Sequence, residues 1–227
     1  MPKAMRHLQR TLGIEKAPII AYNGGLILHD LEVIETTEIE HATLSSLVAW
    51  VKKKDIHLSI YHNDDWFVPE MDYWAKREQH NTQVTPAVQS LADTLDYFKQ
   101  KKCGVHKVMA MGDEHEIDQL FALLTAYHSE TLHFYRSKPT YIEIAHKSIS
   151  KETGLVKLLD SKYPSINMKE VVAYGDNYND IAMLKAVGAG IAVANAKQEV
   201  LIVADEITDA NIEDGVAKSI QKYFLSQ

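Results

Sequence analysis

Apolar and polar positions follow one rhythm up to about residue 146 and a different one beyond it. In the first part, Met5, Leu8 and Leu12 recur at helical spacing over residues 2–12, and Gly13 supplies a stop. Residues 18–22 read as a short buried strand closed by Asn23-Gly24-Gly25, and residues 26–28 with 33–36 as a hairpin. Residues 43–53 predict a helix, with Leu44, Leu47, Val48 and Val51 on one face. Strands at 57–61 and 66–68 flank His62-Asn63-Asp64-Asp65. That tetrad invites a metal assignment, but Asn and Asp favour turns for backbone reasons, and a turn is the reading taken.

Residues 70–86 carry no clear period. Further helices are expected over 92–100 and 114–126, the second with Ile117, Leu120, Phe121 and Leu124 as its core stripe. Strands are expected at 106–111, 131–135 and 141–145. This mixture, without a Gly-rich phosphate loop, predicts an α+β segment.

The later rhythm is simpler. Ser150 opens a helix that includes residues 155–159, and a strand follows over 168–174. A helix over 181–186, a strand over 190–194 and a helix from Asn195 to about residue 204 come next. A short strand at 203–207 and a last helix at 216–224 complete the alternation, which predicts a doubly wound parallel unit. Gly188 and Gly190 do not form a dinucleotide fingerprint, because they follow a helix and open a strand rather than the reverse.

Composition narrows the partners. A net charge of −7 leaves no broad basic face for nucleic acid. The single cysteine, Cys103, cannot form an intramolecular disulfide, so a reducing compartment is expected. No run is long enough to span a membrane, and the amino terminus lacks the apolar stretch of a signal peptide. A cytoplasmic protein is the expectation.

The candidate chemistry centres on residues 171–180. An apolar strand ends at Gly175, and Asp176, Asn177, Asn179 and Asp180 follow immediately. Ligands of open α/β sheets sit beyond the carboxyl ends of the strands, which is where Asp176 falls. Oxygen-only ligands on a tight loop suit a hard cation such as Mg²⁺. The alternative is local: Asn179 or Asp180 as helix N-cap, and Gly-Asp as a turn pair.

In order, Gly175-Asp176-x-x-Asn179-Asp180, the upstream Ser150-Lys151, Asn195-Ala196, Asp214-Gly215-Val216-Ala217 and the early Ala21-Tyr22-Asn23-Gly24-Gly25 resemble a known pattern. It is that of the Cof-like branch of the haloacid dehalogenase (HAD) superfamily, Mg²⁺-dependent phosphatases with a type IIB cap. The resemblance implies an α/β, doubly wound, Rossmann-like core from residues 1–28 and 146–227, with an α+β cap at 29–145 inserted. It implies hydrolysis of a small phosphorylated metabolite, a sugar phosphate or nucleotide-like cofactor, through an aspartyl-phosphate. Asp176 and Asp180 match the metal-binding carboxylates, with Asp180 a ligand or an orienting group. Lys151 matches the catalytic lysine, and it binds substrate phosphate together with Asn179 and Asn195. Taken alone, Lys151 also reads as an exposed helix-start lysine and Asn195 as an N-cap.

The departure from the family pattern is large. These 227 residues contain no Asp-x-Asp, the family's nucleophile motif. The expectation is therefore a core lacking one amino-terminal strand–helix–strand unit of ~30 residues or more. A chain so truncated is expected to be inactive, with an unpaired sheet edge that makes it unstable or homo-oligomeric. The competing reading is a catalytically silent phosphate-binding or interaction protein, or a fragment of a longer gene product.

Overall fold

The computed structural model describes residues 1–30 and 32–225. The chain divides into two compact units, Met1–Ile149 and the segment from Ser150 onward.

In the first unit, α1 (Pro2–Leu12) leads into β1 (Ile19–Ala21), β2 (Leu26–His29) and β3 (Glu32–Thr36). These three strands form an antiparallel sheet in the order β1-β2-β3. Next come α2 (His41–Val51), β4 (Ile56–His62), β5 (Asp65–Val68), α3 (Tyr73–Thr82), β6 (Ala87–Val88) and α4 (Leu91–Lys101). The unit closes with β7 (Lys107–Gly112), α5 (Glu114–His128), β8 (Leu132–Lys138) and β9 (Tyr141–His146). A six-stranded sheet results, ordered β6-β5-β4-β7-β9-β8, antiparallel except for β5 with β6.

Alternation along β4 explains the two apolar layers against this sheet. Leu58 and Ile60 join Leu44, Leu47, Phe98, Ile117 and Leu124 in one cluster, while Tyr61 joins Trp66, Tyr22 and Met109 in another. The expected stripe of α5 is borne out at Ile117, Leu120 and Leu124, all fully buried, with Phe121 only partly buried. In α1 the apolar repeat marks the helix, but of its members only Met5 packs inward. Leu8 and Leu12 are exposed, whereas Gln9 is buried and donates to the Ala17 carbonyl at 2.6 Å.

Two local expectations change. Residues 70–86 contain α3, whose first turn is capped by Asp72 accepting from the Ala75 N–H at 2.9 Å. Its sequence is nearly all polar because only Ala75 is buried. Residues 168–170, expected as strand, form a single 3₁₀ turn capped by Asn167, whose Oδ1 accepts from Lys169 N–H at 2.9 Å.

Residues 1–28 lie within the first unit. There β1 hydrogen-bonds β2, and Met1, Ala4 and Met5 pack against the cluster of Tyr22, Tyr61 and Trp66.

The second unit begins with α6 (Lys151–Lys162), β10 (Val172–Gly175), α7 (Ile181–Ala186) and β11 (Ala189–Val193). It continues with α8 (Gln198–Val203), β12 (Glu206–Thr208) and α9 (Gly215–Ile220). Its strands form a parallel sheet ordered β10-β11-β12, as strand–helix alternation predicts. Ala173, Leu184, Val187, Ala192 and Val200 are its buried centre.

Candidate active site

The Asp176–Asp180 loop hangs from the carboxyl end of β10. It is held by a chain of backbone and side-chain contacts rather than by apolar packing. Asn177 caps a one-turn 3₁₀ helix over Tyr178–Asp180, and α7 follows directly. Asp180, at 1% exposure, folds back beneath the loop: its Oδ2 accepts from the backbone N–H groups of Asp176 and Asn177, each at 3.1 Å. Glycine at 175 is what allows this approach. A Cβ there would stand 2.5 Å from Asp180 Cβ and 2.9 Å from Asp180 Cγ. The Lys197 N–H donates to the Asp176 carbonyl at 3.0 Å, which ties the loop to the segment after β11.

Lys151 reaches the same carboxylate from α6. Ser150 and Thr153 form a reciprocal capping box, so Lys151 is fixed as the first residue of the helix. A cation is disfavoured by the helix dipole at that position, and a partner is needed to offset it. Lys151 Nζ donates to Asp180 Oδ1 at 2.5 Å, with the lysine side chain 35% exposed. Both Asp180 oxygens are thereby engaged.

Asp176 differs. Its carboxylate is exposed at the mouth of the loop and makes no hydrogen bond or ion pair among the described residues. The loop and α6 therefore present one free carboxylate and a lysine ammonium beside a buried aspartate that accepts from both elements. A free carboxylate oxygen beside a solvent-open loop fits a Mg²⁺ ion, which takes one or two carboxylates and otherwise waters and phosphate oxygens. Asp180 fits the orienting role, because it already accepts from Lys151 and from two backbone N–H groups.

Of the residues read from the sequence, Lys151, Asp176 and Asp180 meet in one place, with half-buried Asn179 on the same loop. Asn195 does not open the next helix. Lys197 is the N-cap of α8, and Asn195 Oδ1 instead accepts from the Asn211 N–H at 2.8 Å, pinning two loops together. The pairing of Lys151 with Asp180 was not legible beforehand, although the i, i+4 spacing of Asp176 and Asp180 just after Gly175 marks a carboxylate able to fold back on its own loop.

The model of the haloacid dehalogenase-like hydrolase family matches residues 1–220. Over 97 residues the chain is 43% identical to the 5-amino-6-(5-phospho-D-ribitylamino)uracil phosphatase YcsE of Bacillus subtilis, covering 43% of this chain and 38% of that protein. A haloacid dehalogenase-like hydrolase from Bacteroides thetaiotaomicron superposes with a TM-score of 0.87 at 24% identity, over 99% of this chain and 84% of the other. A HAD subclass IIB sugar phosphatase gives a TM-score of 0.78 at 21% identity, over 99% and 83% of the two chains. The α/β fold is thus the HAD fold, and with the family pattern running through residues 1–220 this chain belongs to the haloacid dehalogenase-like hydrolases.

Proposed function

We propose that this chain carries the metal- and lysine-bearing half of a phosphatase site acting on a small phosphorylated metabolite. The observation that carries this reading is the unengaged Asp176 carboxylate beside the Lys151–Asp180 pair, at the carboxyl end of a parallel strand. Asp176 holds Mg²⁺, and Asp180 keeps Asp176 and Lys151 in position. The bound ion supplies positive charge against phosphoryl oxygens. Lys151, already fixed at the head of α6, offsets the negative charge shared by an entering carboxylate and the phosphate as transfer proceeds. Asn179 and Asn195 orient the phosphorylated ligand, Asn195 through the loop it pins to Asn211.

The nucleophile of such a reaction is an Asp-x-Asp carboxylate, which these 227 residues do not contain. Phosphoryl transfer to an aspartate therefore requires a segment supplied from outside them. A sugar phosphate or nucleotide-like cofactor is the proposed substrate class. The likeness to a phosphoribitylaminouracil phosphatase and to the fold of a sugar phosphatase supports it. Residues 1–28 and 146–227 are proposed as the core around this chemistry, with 29–145 as the cap, in a cytoplasmic setting. No described helix is long and apolar enough to cross a membrane.

The absent Asp-x-Asp also favours a second reading, a catalytically silent phosphate-binding protein. A substrate panel separates the two. The chain, alone and carrying an upstream Asp-x-Asp strand–helix–strand unit, is assayed with Mg²⁺ against sugar phosphates, nucleoside monophosphates and a phosphorylated ribitylaminouracil. Release of phosphate only from the extended chain supports the phosphatase. Binding of inorganic phosphate without turnover in either form supports the silent reading.

A further inference from the structure

Glu38, His62 and His106 are far apart in sequence, and the backbone of the first unit brings them together. Ile39 and Val105 exchange hydrogen bonds at 2.7 and 3.0 Å in an isolated antiparallel bridge, which sets Glu38 opposite His106. His62 ends β4, whose preceding residue Tyr61 pairs with Lys107, the residue after His106. Glycine at 104 is required for the bridge, since a Cβ there would stand 2.1 Å from the Ile39 carbonyl oxygen. One ligand atom from each of Glu38, His62 and His106 lies within 4.8 Å of the other two.

The outer atoms of all three side chains are already held. Glu38 Oε2 accepts from the Gly104 N–H at 2.7 Å. His106 Nδ1 accepts from the Asn63 N–H at 3.2 Å, so the neutral ring carries its proton on Nε2 and donates to Thr36 Oγ1 at 3.0 Å. His62 Nε2 lies 2.9 Å from the Asn63 carboxamide, whose oxygen serves as acceptor when the amide is turned to it. Two atoms are left over, on His62 and Glu38, and His106 Nδ1 is held only by its 3.2 Å contact from Asn63. His62 Nδ1 is buried without a hydrogen-bond partner among the described residues, and Glu38 Oε1 stands 3.7 Å from it. A buried nitrogen left unpaired is rare and points to a group that belongs there.

We infer that Glu38, His62 and His106 form a binding site for a first-row divalent transition cation of the Zn²⁺ type, with His62 Nδ1, His106 Nδ1 and Glu38 Oε1 as ligands. Two imidazole nitrogens and a carboxylate oxygen suit Zn²⁺, whereas Mg²⁺ takes oxygen ligands. Each ligating ring then donates its other N–H to a fixed polar group, the usual outer arrangement of such sites. The ion displaces the 3.2 Å contact from Asn63, a turn residue at φ 50°, and draws the ligand atoms in to bonds of about 2.0–2.2 Å. Glu38 is the flexible member that moves. It also lines a cleft of about 410 Å³ with His41, Cys103 and Gly104, which leaves room for water as a fourth ligand. The bound ion clamps the segment before α2, the end of β4 and the start of β7, and raises stability because it binds only the folded chain.

Co²⁺ is the probe for this site, titrated into the full chain carrying Asp176→Ala so that the other carboxylate site does not compete. One equivalent is expected to give a visible ligand-field band that Zn²⁺ displaces, and Zn²⁺ is expected to raise the melting temperature. Glu38→Gln keeps an acceptor for the Gly104 N–H, and His62→Gln leaves Glu38 in place. Each should weaken Co²⁺ affinity by at least about 100-fold, beyond what loss of an outer partner costs. Cys103→Ser should leave the band unchanged. Circular dichroism checks that each variant folds, and if Glu38→Gln does not, His62→Gln decides alone. A folded chain without the band, a band undiminished in His62→Gln, or a band lost in Cys103→Ser overturns the assignment.

Discussion

Lys151 Nζ and Asp180 Oδ1 are 2.5 Å apart, joining the first turn of α6 to the loop that leaves β10. The aspartate is 1% exposed and the lysine 35%, so the carboxylate depends on its partners more than the lysine does. Asp180→Ala removes an acceptor of one ammonium and two backbone N–H groups. It is expected to lower unfolding stability by about 2–4 kcal/mol. Urea unfolding measures this, and a loss under about 1 kcal/mol would show that water replaces the carboxylate at little cost.

Asp176 sits one turn away in the opposite situation, exposed and unengaged among the described residues. Asp176→Ala should leave the melting temperature of the metal-free chain unchanged and abolish the upward shift produced by Mg²⁺. A Mg²⁺ shift of the same size in variant and parent would remove Asp176 from the metal site.

That contrast shows what sequence carries and what it does not. The parallel unit was legible because strands and helices alternate at short spacing, β10 is a short apolar run closed by Gly175, and Ser150 opens α6 as its type predicts. The loop at residue 176 was legible because Gly-Asp follows such a run. Roles within the loop were not, since Asp176 and Asp180 are the same residue type and only a fold-back past Gly175 separates a free carboxylate from an engaged one. Helix α3 was hidden because it buries only Ala75 and so carries no apolar period, leaving Asp72 as its one signal. His62 reads locally as part of a turn, and the turn is there, with Asn63 at φ 50°. Its neighbours Glu38 and His106 arrive through the Ile39–Val105 bridge, a long-range pairing no local pattern announces.

A different pair predicts acid sensitivity in the first unit. His57 Nδ1 lies 2.8 Å from Asp72 Oδ2, and its Nε2 lies 3.0 Å from Ser59 Oγ. Burial pulls the His57 pKa below its usual 6.5, with Asp72 and then Glu70 opposing that shift. The unfolded chain therefore takes up this proton more readily than the folded one. The stabilising contribution of neutral His57 is intact above pH 6.5 and shrinks as pH falls below it toward the depressed value. Urea midpoints against pH should fall less steeply below 6.5 in His57→Gln than in the parent. Equal slopes would contradict this.

Among the described residues β10 hydrogen-bonds β11 alone, so its other edge is unpaired. An open edge of a parallel sheet is a template for further pairing. Sedimentation of the 227-residue chain should show concentration-dependent association or early unfolding. A sharp, reversible monomer melt well above ~65 °C would contradict that expectation.

Hydrolysis of a simple aryl phosphate with and without Mg²⁺ tests the central claim most directly. The assay uses the 227-residue chain, the same chain extended by an upstream Asp-x-Asp unit, and the extended chain carrying Asp176→Ala. The account predicts no turnover from the 227 residues alone, Mg²⁺-dependent turnover from the extended chain, and its loss by at least about 100-fold in the variant. Turnover by the 227 residues themselves, or turnover in the extended chain that survives Asp176→Ala, would contradict it.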